Sequence, residues 1–193
     1  MEAEQRVAEI LEFWFGPGKR PTRQRRVWFV PDPAFDQACT DGFLADYKLA
    51  DAGSLQDWRN EPRSALALTL LFDQFPRNMF RGTARAFATD HKALALAKHA
   101  VARQFDLALS EVERAFVYLP FEHSENLDDQ RESVRLHRQL FARAPAMAGY
   151  LMYAERHMEV IRRFGRFPHR NAILRRSSTP EEALFVAHGL AQM

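Results

Sequence analysis

Apolar residues in this chain recur at spacings of three and four and almost never alternate with polar ones, a pattern that selects helices and leaves little from which to build a sheet. Val7, Ile10, Leu11, Phe13, Trp14 and Phe15 crowd one side of a first helix that Gly16-Pro17-Gly18 stops. After Pro31-Asp32-Pro33 a second helix carries Phe35, Phe43, Leu44 and Tyr47 to an end near Gly53. Ser54, Leu55 and Trp58 form a connecting turn, and a third helix over roughly residues 62–74 offers Leu66, Leu70, Leu71 and Phe75 to a core. Thr89 or Asp90 is placed to cap a fourth helix through Leu94, Leu96, Ala97 and Val101, its side-chain oxygen accepting from first-turn amides.

Ser110-Glu-Val-Glu113 reads as a capping box for a short fifth helix that Pro120 should end. A sixth begins near Asn126 or Leu127 and passes through Val134, Leu136, Leu140 and Phe141. Pro145 ends it and starts a seventh, with Met147, Tyr150, Leu151, Ala154, Met158 and Ile161 on its apolar side and Gly165 as a left-handed cap. Thr179-Pro-Glu-Glu182 is a further capping box that launches a last helix through Leu184, Phe185 and Leu190. The expected class is all-α, with consecutive antiparallel helix hairpins forming a bundle or short solenoid in one domain over residues 1–193.

Charge is nearly balanced, 27 basic against 25 acidic residues, so bulk electrostatics gives no mandate for nucleic acid. One cysteine, Cys39, excludes an intrachain disulfide and a zinc site built from several thiolates. No stretch approaches the roughly 18 apolar residues of a membrane span, and the charged start Met1-Glu-Ala-Glu-Gln-Arg6 is unlike a signal peptide. A cytoplasmic setting without membrane contact is the expectation.

Three segments depart from the amphipathic pattern: Asp73-Gln-Phe-Pro-Arg-Asn78, Leu119-Pro-Phe-Glu-His-Ser-Glu125 and Arg163-Phe-Gly-Arg-Phe-Pro-His-Arg-Asn171. Their prolines set them at helix ends or short loops, where stretches distant in sequence can converge on one pocket. Glu122 and Glu125, three residues apart, share a side if that stretch is helical, with His123 about 100° away. These three are the candidates for acid–base catalysis. Arg77, Arg81, Arg166 and Arg170, with Asp73, Gln74 and His169, are the candidates for holding a small anion, because a guanidinium grips a carboxylate or phosphate through two parallel bonds. If His123 and His169 meet beside a carboxylate, either can transfer protons near neutrality.

Competing readings are plain. Asp73, Asp90, Glu122, Glu125, Asp128 and Asp129 are enough partners to neutralise these arginines internally, and His157, among apolar positions, reads as a hydrogen-bonded core residue. No His-x-x-x-His or Glu-x-x-His pair supplies metal ligands from one helix, so no metal is expected. Ser124 lacks a nucleophile elbow, Cys39 reads as a packing residue, and no glycine-rich phosphate loop appears. The strip Lys19-Arg-Pro-Thr-Arg-Gln-Arg-Arg26 reads as a solvated loop fixed to the core by Trp28-Phe29, and nucleic acid is not expected to bind it.

Ile10-Leu-Glu-Phe-Trp-Phe-Gly16, Leu71-Phe-Asp-Gln-Phe-Pro-Arg-Asn-Met-Phe-Arg-Gly82, Tyr118-Leu-Pro-Phe-Glu-His-Ser-Glu125 and Arg163-Phe-Gly-Arg-Phe-Pro-His-Arg-Asn171 together resemble the bacterial family catalogued as domain of unknown function 924. That resemblance implies an all-helical fold similar to tetratricopeptide repeats, with a right-handed superhelix, and implies no established reaction. The family pattern has glycine where this chain has Arg175, which bears on the turn after Leu174. Repeat-like helical folds often bind peptides in a groove, so a peptide- or protein-binding scaffold competes with the favoured expectation, a small anionic molecule in an Arg/His/carboxylate pocket with acid–base chemistry available to it.

Overall fold

The computed structural model describes residues 2–18 and 24–188, and every regular element among them is helical. The α-helices are α1 (Glu2–Phe15), α2 (Pro33–Asp51), α3 (Pro62–Asp73), α4 (Phe75–Met79), α5 (Asp90–Ala102), α6 (Glu111–Glu122), α7 (Leu127–Arg143), α8 (Ala148–Phe164) and α9 (Pro180–Ala187). Residues 19–23 of the basic strip and Leu190 lie outside the described residues. The chain divides into two compact units, residues 1–81 with 85–120 and residues 82–84 with 121–193.

The first unit is organised around aromatic rings. Trp14, 1% exposed, has Phe75, Phe35 and Phe116 with ring centroids 5.4, 5.7 and 5.8 Å away, and Trp28 at 6.4 Å. α1 ends without partners for its last carbonyls unless side chains supply them. Arg25 Nη1 donates to the carbonyls of Phe13 and Trp14 at 2.5 and 2.6 Å, and Trp28 Nε1 donates to Trp14 O at 3.0 Å. Trp28 thus fixes the end of the basic strip to α1, whereas Phe29 is half exposed. Arg6 ties α1 to α2 by gripping the Asp46 carboxylate with two bonds of 2.9 and 2.6 Å.

Between α3 and α4 the helix breaks because Pro76 has no amide to donate back to Phe72 O. Thr89 Oγ1 donates to that carbonyl at 2.6 Å. Thr89 is indeed the N-cap residue of α5, but it makes no side-chain capping bond. Its hydroxyl serves the orphaned carbonyl instead, correcting the expectation that it would accept from first-turn amides. Pro120 likewise does not end α6, which continues to Glu122. A proline this close to a C-terminus removes one hydrogen bond, and the two residues after it complete the turn.

In the second unit α7 and α8 form a hairpin joined by a short turn over Pro145–Met147, so Pro145 opens a 3-10 turn and not α8 itself. Asn126 caps α7, accepting from the amides of Asp128 and Asp129 at 2.8 and 3.4 Å. Gly165 closes α8 at φ 69°, and Thr179 with Glu182 completes a reciprocal capping box on α9. Val160, Ile161 and Phe167 make an apolar centre against Leu127, Phe164 and Phe185. Phe141, expected inside, is 37% exposed. Val134, Leu136 and Leu140 are buried as expected, but the inward side of α7 also carries Gln130, Ser133 and His137, all essentially inaccessible to solvent. Arg175 adopts φ 55°, a left-handed conformation that costs a non-glycine residue roughly 1–2 kcal/mol.

Candidate functional site

Asp73, Gln74, Arg77 and Arg81 belong to the first unit and are closely partnered within it. Gln74 Nε2 donates to Asp73 Oδ2 at 2.6 Å, and Arg77 holds Asp90 with parallel bonds of 2.9 and 3.0 Å while reaching Asp73. Burial disfavours the Arg77 charge, but Asp73 and Asp90 outweigh it and hold its pKa above the ordinary arginine value. Arg81 grips Asp36 with bonds of 2.7 and 2.8 Å and donates to Asn78 Oδ1 at 3.1 Å. Every one of these groups joins helix ends.

The other two polar segments meet in the second unit. Residues 123–126 are not helical, so Glu122 and Glu125 part company after the end of α6. Glu125 accepts from Phe167 N at 2.8 Å and from both terminal nitrogens of Arg176 at 2.7 and 3.0 Å. Burial opposes its charge; Arg176, the Phe167 amide and Arg170 overcome that and depress its pKa. Arg176 also donates to Phe167 O and Asn171 Oδ1 at 3.1 and 3.0 Å. Arg166 is bound in parallel to Glu182 at 2.6 and 2.8 Å.

Glu122 turns to a different partner. Its Oε1 lies 3.2 Å from His157 Nδ1, and both side chains are buried, at 3% and 6% exposure. His157 Nδ1 is also 2.9 Å from Tyr153 O. A carbonyl only accepts, so Nδ1 carries the hydrogen and Nε2 is left as the titrating nitrogen. Around this pair stand two more imidazoles and a guanidinium. The His123 ring is 6.4 Å from His157, Phe167 lies 5.5 Å from His157 and 5.7 Å from His169, and the Arg170 guanidinium sits 4.3 Å over the Phe167 ring while donating to His123 O at 3.1 Å.

Burial, with the positive potential of neighbouring His123 and Arg170, pushes the His157 pKa down to about 3. Burial and Arg170 bring His169 down to about 4, against the pull of Glu125. Both rings are therefore neutral at pH 7, and His169 Nδ1 is buried with no hydrogen-bond partner among the described residues. The arrangement sets a neutral imidazole, fixed by a backbone carbonyl, beside a buried carboxylate, with a cation over an aromatic ring nearby. Among the described residues no group of three His, Cys, Asp or Glu side chains has the geometry of a metal site.

Sequence reasoning missed Arg176 and the buried polar stripe of α7. Gln130 Nε2 donates to the carbonyls of Glu122 and Ser124, both at 2.6 Å, fastening the turn that carries Glu122 and His123. His137, whose ring stacks 6.2 Å from Tyr150, is pushed down to about 4 by burial. The signal was present as polar residues at 130, 133 and 137, the three-and-four spacing of an inward face. Arg176 offered no such signal, because its partner Glu125 is 51 residues away.

A family described as a bacterial protein of unknown function, DUF924, matches residues 10–189. A solved structure, the protein of unknown function ATU0120 from Agrobacterium tumefaciens, is 42% identical over 95% of this chain and 98% of its own, with a TM-score of 0.83. No curated protein matches.

Proposed function

The chain belongs to the DUF924 family, and we infer that its second unit binds a small anionic molecule at the Glu122–His157 pair, with Arg170, His123 and His169 completing the site. The observation that carries this reading is the clamping of His157 Nδ1 between Tyr153 O and the Glu122 carboxylate. The clamp presents Nε2 as a fixed acceptor to the bound molecule, and an anion seated beside the ring raises the His157 pKa from about 3 towards the range in which Nε2 can take a proton. Arg170 supplies the positive charge that draws an anion. Glu125 and Arg176 hold the His123 turn against the Phe167 segment.

In this reading Arg77, Arg81 and Arg166 serve the fold, since carboxylates already grip each of them, and Asp73 and Gln74 act with Arg77. Thermal unfolding with inorganic phosphate or succinate as probe tests the distinction. Each added kcal/mol of binding raises the midpoint by about 2–4 °C in a chain of this size. The wild-type midpoint should rise with at least one probe; Arg170→Gln should lose the rise with helical circular dichroism retained, and Arg77→Gln should keep it from a lower starting midpoint. Loss of the rise in Arg77→Gln alone would remove the second unit from consideration.

A further inference from the structure

The first unit contains a recess that shares no residue with the His157 cluster. About 290 Å³ in volume, it is walled by Leu55, Leu68, Phe72 and Leu96, with Arg59 and Lys92 also on its lining. The two cations differ in how they are held. Lys92 donates to the carboxylate and the carbonyl of Asp51, another lining residue, so its charge is matched. Arg59 has no carboxylate partner among the described residues; a histidine holds it instead.

Arg59 Nη2 lies 3.2 Å from His99 Nδ1, and His99 Nε2 lies 3.1 Å from Arg59 O. A guanidinium only donates and a carbonyl only accepts, so these two bonds require a neutral His99 protonated on Nε2. The histidine orients the arginine without cancelling its charge. An oriented, uncompensated cation beside an apolar hollow is complementary to a molecule with one negative end and an apolar body.

We propose that this recess binds a medium-chain amphipathic monocarboxylate, its carboxylate on Arg59 and its tail against Leu55, Leu68, Phe72 and Leu96. Volume sets the length: at about 30 Å³ for each water-sized group, the recess takes about ten heavy atoms, the size of octanoate. The apolar wall sets the charge: Leu55, Leu68, Phe72 and Leu96 offer no partner to a second carboxylate, so a dicarboxylate of equal length is disfavoured.

Methyl NMR of the full chain, titrated separately with octanoate, butyrate and octanol at pH 7, tests the assignment. Octanoate should shift the methyls of Leu55, Leu68 and Leu96 saturably, and butyrate should bind at least about tenfold more weakly. Arg59→Gln, an exposed position whose loss leaves the core intact, should weaken octanoate by about tenfold and leave octanol unchanged. Leu55→Glu, which puts a carboxylate into the hollow, should abolish octanoate binding. The proposal is overturned if octanoate shifts no methyl in this recess, if octanol binds as well as octanoate, or if Arg59→Gln weakens both alike.

Discussion

Pro76 leaves the carbonyl of Phe72 without its helical donor, and the hydroxyl of Thr89, seventeen residues on, supplies one at 2.6 Å. Thr89 and Phe72 are both buried, so the carbonyl loses a buried partner once that hydroxyl is gone. A buried acceptor left unmade costs more than an ordinary hydrogen bond contributes. Thr89→Val, which keeps the shape and removes the donor, should therefore lower unfolding free energy by about 1–3 kcal/mol in urea titrations, whereas Thr89→Ser should stay near wild type. Equal loss in both variants would assign the effect to packing of the methyl group. The same bond ties the end of α3 to the start of α5, beside the place where Arg77 bridges the Asp73 and Asp90 carboxylates.

Helix ends are where elements of this chain are most readable. The α9 cap is a local device: Thr179 Oγ1 accepts from Glu182 N at 3.2 Å and Glu182 accepts from Thr179 N at 2.7 Å. Thr179→Ala should cost about 1 kcal/mol and speed hydrogen exchange of the α9 amides by about fivefold, leaving α3 amides unchanged. Uniform acceleration across both helices would mean that the cap stabilises more than α9. Such boxes are legible because both partners lie within four residues. Pro120 misleads by the same local logic, since its effect depends on how few residues follow it in α6. The five-residue α4 is too short to show a period. Of the candidate site, Glu122, His123, His169 and Arg170 are marked in sequence by their proline-flanked clustering. His157 is not, because its neighbours on α8 are apolar and only the approach of Glu122, 35 residues earlier, turns a core imidazole into half of a pair. The spacing of polar residues on α7 shows that Gln130 is buried but not its partners, the carbonyls of Glu122 and Ser124, which no short window contains.

Across the whole molecule the buried histidines set the response to acid. His137, His157 and His169 have folded-state pKa values of about 4, 3 and 4, below the 6.5 expected when unfolded. Above pH 6.5 both states are neutral and the difference contributes nothing; as pH falls below 6.5 the unfolded chain takes up protons that the folded chain refuses, and stability declines until the folded values are reached. At pH 5.5 each ring should cost about 1.3 kcal/mol relative to pH 7.5, roughly 4 kcal/mol for the three, before any Glu125 protonation. Urea unfolding at the two pH values measures this directly, and a flat profile would mean that these rings are charged in the fold. The identity and coverage shared with the Agrobacterium protein make its coordinates a second place to look for the same pairing. The most direct test of the proposed site is nitrogen-15 NMR of the histidine rings in this chain at pH 7, with and without inorganic phosphate. His157 should show the neutral form protonated on Nδ1, and phosphate should shift the His123, His157 and His169 signals together in a saturable way that Arg170→Gln abolishes. A His157 ring protonated on Nε2, or three rings that ignore phosphate and succinate alike, would contradict it.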